Sequence, residues 1–254
     1  MSDEEKDDDH NYKKEKHRHR HKHRKKTLPD ELFPIPNKDK KFQEEWYPGR
    51  NLLNFPHSFR CVITARPNTG KTSIIKHILV RQDPMFQKIY VVHIDPQTKD
   101  YKDVDDVKLL NEIPSPQDPI LNRKEKNLLI LDDLEFKFMN KQQLQNLDRL
   151  FAYVSSHKNT SVCVIAQDPY NIPPCVRRMC NIWILGKINN DLTSFLSIAQ
   201  RCGLTQEEFL HIFNKYVTGD HDTFWIDRTK NTPAEYRING YKVLDKKNNW
   251  EIRQ

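Results

Sequence analysis

The sequence predicts an α/β fold in which helices flank a mostly parallel central sheet. Five apolar runs fit buried strands, at residues 61–64, 88–94, 128–133, 161–167 and 181–185. Two segments with apolar residues at helical spacing lie between them, at residues 71–81 and 141–155. Strands that are apolar throughout and alternate with helices are typical of a parallel sheet covered on both faces.

A loop ending in Gly70, Lys71 and Thr72 joins the first predicted strand to the helix after it. This arrangement is typical of the phosphate-binding P-loop, in which backbone N–H groups and the helix dipole attract an anion. Lys71 can reach the β- and γ-phosphates, and the Thr72 hydroxyl can ligate Mg²⁺. We therefore predict that ATP and Mg²⁺ bind here, with the nucleotide held by Ala65, Arg66, Pro67, Asn68, Thr69, Gly70, Lys71, Thr72 and Ser73.

Ala65 departs from the P-loop pattern, which has glycine at its first position. Alanine tolerates fewer backbone conformations than glycine. Either the loop keeps a negative φ at Ala65, or the match to the pattern is accidental.

Two acids, Asp132 and Asp133, end the third predicted strand. This fits the Walker B element, whose strand delivers an acid to the Mg²⁺ shell beside the P-loop hydroxyl. Asp132 would then be the acid on the metal side, and Asp133 would orient or deprotonate the attacking water. The alternative is a strand that ends in two solvated acids.

Gln167 and the pair Arg177 and Arg178 are further candidates for catalysis. Gln167 closes the fourth strand, and the carboxyl ends of parallel strands face the ligand crevice, so its amide could contact the γ-phosphate and the water. An ordinary strand terminus is the alternative. Arg177 or Arg178, on the loop before the fifth strand, could reach a neighbouring subunit as an arginine finger. A surface pair or a DNA contact would explain these two arginines equally well.

The composition indicates a soluble protein that contacts a polyanion. The net charge is +7 and the pI is near 9.0, which makes nucleic acid a plausible partner. No run approaches the roughly 20 apolar residues of a membrane-spanning helix. The five cysteines form no CxxC pair, which argues against zinc and favours a reducing compartment.

Four segments divide the chain. Residues 1–26 are acidic and then rich in His, Arg and Lys, and we expect a disordered arm. This arm could bind nucleic acid, direct nuclear import, hold a metal through its histidines, or only aid solubility. Residues 27–57 form an extended lead-in with prolines and aromatic residues, residues 58–190 the P-loop ATPase core, and residues 191–254 a helical and β extension packed on that core.

Within the last segment, helices are expected at residues 191–200 and 205–216. The second of these begins with a capping-box pattern at Thr205 and Glu208. Strands are expected at residues 223–227 and 236–238, followed by a hairpin around Asn239 and Gly240. Residues 95–119 read as a polar connection that ends in a proline-rich turn, and His93 as a strand-end residue rather than a ligand.

Five motifs together resemble one known family. They are Ala-x-x-x-x-Gly-Lys-Thr (65–72), Leu-Ile-Leu-Asp-Asp (129–133), Ser-His-x-Asn-x-Ser (156–161), Val-Ile-Ala-Gln (164–167) and Ile-Pro-Pro-x-Val-Arg-Arg-Met-Cys-Asn (172–181). Their order and spacing resemble the genome-packaging ATPases of double-stranded DNA viruses, the poxvirus-type branch of the FtsK–HerA superfamily. The compact length and the basic arm look most like those of the virophage and polinton-like members. The resemblance spans residues 59–190.

The resemblance implies a RecA-like P-loop NTPase that uses ATP to drive double-stranded DNA into a preformed capsid. It implies a homo-oligomeric ring, a pentamer or hexamer, that contacts a capsid or portal-vertex protein in an infected cell. Many members carry arginine where this chain has Ser156, which moves the expected finger to Arg177 or Arg178. Two other functions remain open: a P-loop nucleotide or nucleoside kinase, and a nucleotide-regulated protein that binds DNA or capsid without hydrolysis.

Overall fold

The computed structural model describes residues 52–188, 192–229, 232 and 234–253. The arm predicted at residues 1–26 and the lead-in as far as residue 51 lie outside the described residues. So does residue 191, at which one helix is predicted to begin.

Ten strands form one sheet in the order β10-β9-β8-β7-β6-β1-β5-β4-β2-β3. Their bounds are β1 Arg60–Thr64, β2 Lys88–His93, β3 Val107–Leu110, β4 Asn127–Asp132, β5 Thr160–Ala166, β6 Ile182–Gly186, β7 Thr223–Asp227, β8 Tyr236–Ile238, β9 Lys242–Asp245 and β10 Glu251–Ile252. Strands β1 to β6 run parallel to one another. Strands β7 to β10 extend the sheet beyond β6, and each is antiparallel to its neighbour. The predicted α/β fold with a mostly parallel sheet is confirmed.

Five α-helices accompany the sheet in the part of the chain that the structure describes. They are α1 Lys71–Val80, α2 Lys141–Arg149, α3 Pro174–Met179, α4 Thr193–Arg201 and α5 Gln206–Tyr216. Helix α2 continues through a π-helical segment, Leu150–Val154, into a last turn, Ser155–His157. None of the described helices has the length and apolarity that crossing a bilayer requires.

The strands are buried on both faces because their side chains alternate between two separate clusters. Cys61 and Ile63 of β1 point to the cluster that contains Ile75 of α1. Val62, between them, belongs to the other cluster, with Leu147 of α2 and Phe209 of α5. This alternation follows from the two-residue period of a strand. It places α1 on one face of the sheet and α2 and α5 on the other.

Capping boxes start two of the helices. The Thr205 hydroxyl accepts a hydrogen bond from the Glu208 backbone N–H, and the Glu208 carboxylate accepts one from Thr205, as predicted. Asn140 and Gln143 exchange the same pair of bonds at α2, which the sequence reading did not note. The hairpin at Asn239 and Gly240 is also as predicted. It joins β8 to β9, and both residues have positive φ, 53° and 81°.

Two predicted connections contain regular structure. Strand β3 lies within the segment predicted to be a polar connection. The sequence does not predict this strand because it is a four-residue edge strand, only partly buried, with little apolar pattern. Helix α3 carries Arg177 and Arg178, which the sequence assigns to a loop. The Pro173–Pro174 pair suggests a break in regular structure, yet Pro174 opens α3 at a position where its missing N–H is not needed.

A buried ion pair joins β7 to β8. Arg237 and Asp227 have side-chain exposures of 0% and 1%, and a guanidinium nitrogen of Arg237 lies 3.0 Å from the Asp227 carboxylate. The guanidinium also donates to the Leu52 carbonyl and lies 5.6 Å from the ring centres of Phe55 and Trp225. These contacts fasten the first described residues to the antiparallel part of the sheet.

Candidate nucleotide-binding site

A cleft of about 590 Å³ lies where the parallel strands β2, β4 and β5 end and α1 begins. The sequence-predicted residues that line it together are Pro67, Asn68, Gly70, Lys71, Thr72, Ser73, Asp132, Asp133 and Gln167. The carboxyl edge of a parallel sheet is where ligands bind in open α/β folds. The cleft is therefore the candidate nucleotide-binding site.

The loop between β1 and α1, which matches the P-loop pattern, turns sharply before the helix. Asn68 and Gly70 both have left-handed backbone conformations, with φ of 61° and 85°. Gly70 is the residue that precedes the helix, and its carbonyl accepts the first helical hydrogen bond, from Ile74. Because side chains disfavour this conformation, glycine is needed at position 70. The first turn of α1 consequently presents its free N–H groups to the cleft.

Ala65 is accommodated at the start of this loop. Positive φ angles occur at Asn68 and Gly70 in the loop but not at Ala65. The Ala65 side chain is buried next to Gly186, the last residue of β6. The neighbouring glycine, rather than one within the loop, therefore provides the space at this corner.

The Lys71 side chain folds along the loop. Its ammonium donates to the carbonyl oxygens of Ala65 and Arg66, at 3.0 and 2.9 Å. Burial lowers the pKa of Lys71, while the nearby carboxylates of Asp133 and Asp132 oppose that shift. Since an ammonium has three N–H donors, one remains beyond these two bonds.

The two acids at the end of β4 differ in environment. Asp132 is buried and accepts a hydrogen bond of 2.6 Å from the Tyr101 hydroxyl. Burial raises the pKa of the Asp132 carboxyl group, and the bond from Tyr101 acts in the opposite direction. Asp133 is half-buried and has a positive φ of 54°. Such a conformation in a residue other than glycine is often found at functional sites.

Gln167 lies next to Asp133. Its side-chain amide donates a hydrogen bond of 2.6 Å to the Asp133 carboxylate. The two residues are separated by 34 positions in the chain and meet because β4 and β5 are neighbours in the sheet. An acid whose one oxygen is held by an amide can use its other oxygen to orient a water molecule in the cleft.

The donors in the cleft suit a magnesium–nucleotide complex. Thr72 and Asp132 offer a hydroxyl and a carboxylate oxygen, and Mg²⁺ prefers such ligands together with phosphate oxygens. Four lysines (Lys71, Lys76, Lys99 and Lys102) and four aspartates (Asp100, Asp103, Asp132 and Asp133) line the same cleft, so it offers cations to phosphate oxygens and carboxylates to a metal ion. The residues present therefore fit the predicted cofactors.

Five of the sequence-predicted residues do not line the cleft. Ala65 and Thr69 are buried beneath it. Arg66 turns away and forms an ion pair with Asp220, in the connection between α5 and β7. Arg177 is half-buried and Arg178 is exposed on α3. Neither arginine of α3 reaches the nucleotide site of its own chain.

The segment between β2 and β3 also contributes to the site, and the sequence reading missed it. Lys99, Asp100, Lys102 and Asp103 line the cleft, and Tyr101 bonds Asp132 beneath them. His93, at the end of β2, lines the cleft as well. The one signal in the sequence was an aromatic residue within a stretch of charged residues, and Tyr101 is buried there.

The sheet order, the loop before α1 and the acids at the end of β4 define the P-loop ATPase fold. Among solved structures, the genome packaging NTPase B204 from Sulfolobus turreted icosahedral virus 2, in complex with sulfate, is similar with a TM-score of 0.51 and 14% identity. The alignment covers 72% of this chain and 96% of that one. The predicted resemblance to viral packaging ATPases is thus confirmed at the level of the fold.

Two further alignments have lower scores. B204 in complex with AMPPCP aligns with a TM-score of 0.49 and 14% identity, over 74% of this chain and 97% of that one. The pCW3 conjugation coupling protein TcpA aligns with a TM-score of 0.46 and 9% identity, over 69% and 59%. No protein-family model matches the chain, and no curated protein does.

Proposed function

We propose that this protein is an ATP-hydrolysing motor that moves double-stranded DNA into a viral capsid. The observation that carries the proposal is the convergence of Lys71, Thr72, Asp132, Asp133 and Gln167 on one cleft. Lys71 and the loop N–H groups hold the phosphates, and Thr72 and Asp132 hold Mg²⁺. Bound Mg²⁺ would neutralise charge on the phosphate oxygens.

Asp133 and Gln167 would position the attacking water. The amide of Gln167 donates to one oxygen of the Asp133 carboxylate, which leaves the other oxygen to accept a proton from water. The carboxylate then acts as the general base, and the amide keeps it oriented. The hydrogen bond between the two side chains supports this division of roles.

The packaging role is supported by the fold shared with B204, a genome packaging NTPase. The net charge of +7 agrees with a nucleic acid partner. We propose double-stranded DNA as that partner, a ring of identical subunits as the working assembly, and a capsid or portal-vertex protein as the docking site in an infected cell.

One arginine of α3 would complete the site of the neighbouring subunit. Arg178 is exposed, whereas Arg177 is half-buried. An arginine finger must be free to reach a phosphate across an interface. Arg178 is therefore the better candidate for the finger.

The test is ATP turnover by the purified chain with and without double-stranded DNA, over a range of protein concentrations. We expect DNA to stimulate turnover, and the specific activity to rise with concentration as rings assemble. Stimulation should decline steeply with added salt, because DNA binding by basic proteins releases counterions. ATP turnover that depends neither on DNA nor on protein concentration would contradict the proposal of a DNA motor.

Mixing two inactive variants tests the shared site. Lys71→Ala chains keep their own Arg178, and Arg178→Ala chains keep their own P-loop. A mixture of the two should recover activity that neither variant has alone. Arg177→Ala, which changes the neighbouring arginine, is the matched control for Arg178→Ala. Transfer of phosphate to a nucleoside would instead identify a kinase, and binding of ATP without turnover under all conditions would identify a regulated binding protein.

A further inference from the structure

We propose that Tyr101 is a positioning residue for the metal site: its hydroxyl holds the Asp132 carboxylate in the orientation that receives Mg²⁺. The inference rests on the proposed function in one respect, namely that a magnesium–nucleotide complex binds in this cleft. It assigns a role to a residue outside the P-loop and Walker B motifs.

The geometry is specific. The Tyr101 hydroxyl oxygen lies 2.6 Å from one carboxylate oxygen of Asp132, and both side chains are buried, with 3% and 5% exposure. A carboxylate oxygen has two lone pairs, so the oxygen bonded to Tyr101 has one of them occupied, whereas the other oxygen keeps both for a cation. The bond therefore fixes the rotation of the carboxylate and favours the second oxygen as the ligand.

Tyr101 can act in this way because its own segment is held in place. The backbone N–H of Val104 donates to the Tyr101 carbonyl at 3.1 Å, and the backbone N–H of Lys102 donates to the Lys99 carbonyl at 3.2 Å. These two hydrogen bonds form a compact turn. Asp103 in this turn accepts a hydrogen bond of 2.7 Å from Lys76 of α1. The turn is therefore tied to the same helix that carries Thr72.

Groups that orient metal ligands usually affect metal affinity strongly. Loss of such a partner typically weakens metal binding by about 10- to 100-fold, because the ligand must be ordered when the metal binds. Tyr101 should matter for metal affinity more than for contact with the nucleotide itself.

The experiment compares Mn²⁺ binding by the wild type and Tyr101→Phe, in the presence of AMPPCP, with electron paramagnetic resonance of free Mn²⁺ as the readout. Tyr90→Phe is the matched control. Tyr90 is also buried, and its hydroxyl donates to the Ile120 carbonyl at 3.3 Å, away from the metal site. Affinity for AMPPCP without metal and the melting temperature are measured on all three chains.

We expect Tyr101→Phe to bind Mn²⁺ about tenfold more weakly, with metal-free AMPPCP affinity unchanged and Tyr90→Phe like the wild type. In an Asp132→Ala background, removal of the Tyr101 hydroxyl should have no further effect. Equal Mn²⁺ affinity in folded wild type and Tyr101→Phe would overturn the inference, as would an equal loss in Tyr90→Phe.

The measurement requires neither turnover nor DNA, so the two proposals can fail separately. A wild type that binds Mn²⁺ and AMPPCP but never hydrolyses ATP contradicts the motor, while the comparison of the variants still decides the role of Tyr101. A wild type that binds no Mn²⁺ with the nucleotide overturns the positioning role as well.

Discussion

Ala65 and Gly186 fit against each other where β1 and β6 end: a Cβ atom built on Gly186 would lie 2.7 Å from the Cβ of Ala65. The two strands pair in register up to Thr64 and Leu185, so the next residue of each is brought into contact. This corner has room for a single methyl group. In this chain the methyl group belongs to Ala65 of the P-loop, and Gly186 of the adjacent strand β6 leaves the space for it.

Gly186→Ala should therefore destabilise the protein. The two methyl groups cannot both occupy the corner, and overpacking of this kind typically costs about 1–3 kcal/mol. Chemical denaturation of the variant gives the loss. The double variant Ala65→Gly with Gly186→Ala moves the methyl to the other strand and should recover much of the stability. If the double variant is less stable than Gly186→Ala alone, the two residues do not compete for this space.

Lys71→Ala should abolish ATP hydrolysis without unfolding the chain. The proposed function places its ammonium on the phosphates, and removal of one such electrostatic contact commonly lowers turnover by about 10²–10³-fold. Steady-state ATP turnover with DNA present measures the effect. Lys88→Ala is the control, because Lys88 is exposed at the start of β2, the end of that strand away from the cleft. DNA-stimulated activity that survives in Lys71→Ala would show that the site is assigned wrongly.

Asp133→Asn should separate nucleotide binding from hydrolysis. The amide cannot accept a proton from water, and loss of a general base usually lowers the rate by about 10²–10⁴-fold. ATP affinity should stay close to that of the wild type, since Lys71, Thr72 and Asp132 are retained. Equilibrium binding and single-turnover hydrolysis measure the two properties. Asp148→Asn, an exposed change on α2, provides the control. Normal hydrolysis by Asp133→Asn would assign the base elsewhere.

Asp227→Asn should destabilise the antiparallel part of the sheet. It leaves the buried guanidinium of Arg237 without its carboxylate, and breaking a buried pair from one side typically costs about 3–5 kcal/mol. Urea denaturation of the variant measures this loss. Glu251→Gln disrupts the exposed ion pair with Lys215 and should change the urea midpoint far less. Similar shifts in the two variants would mean that burial of the Arg237 pair contributes little.

The central strands and the P-loop could be predicted because each depends on local sequence. β4 and β5 are buried throughout and each contains at least four consecutive apolar residues, and Gly70 marks a turn that needs a left-handed residue. The meeting of Asp133 and Gln167 also follows from sequence, once the strands are parallel neighbours. Strand β3 was missed because an edge strand of four residues shows no clear period.

The contacts that hold the site together could not be read from the sequence. Tyr101 and Asp132 are 31 positions apart, and an aromatic residue within a charged turn does not indicate which distant residue it will contact. Arg66 and Asp220 are 154 positions apart and meet only when the whole sheet has formed. Such pairs depend on tertiary packing, whereas motif and periodicity report on local structure.

The ion pair between Arg66 and Asp220 has a consequence for dissecting the protein into fragments. The Lys187 ammonium also donates to the Thr218 carbonyl, so the connection after α5 is attached to the P-loop side of the sheet at two points. A fragment ending near residue 190 would lose this attachment. It would also expose the edge of β6 that is hydrogen-bonded to β7 in the whole chain. The smallest fragment expected to bind nucleotide as a soluble unit therefore reaches beyond β7, even though the recognisable motifs end far earlier.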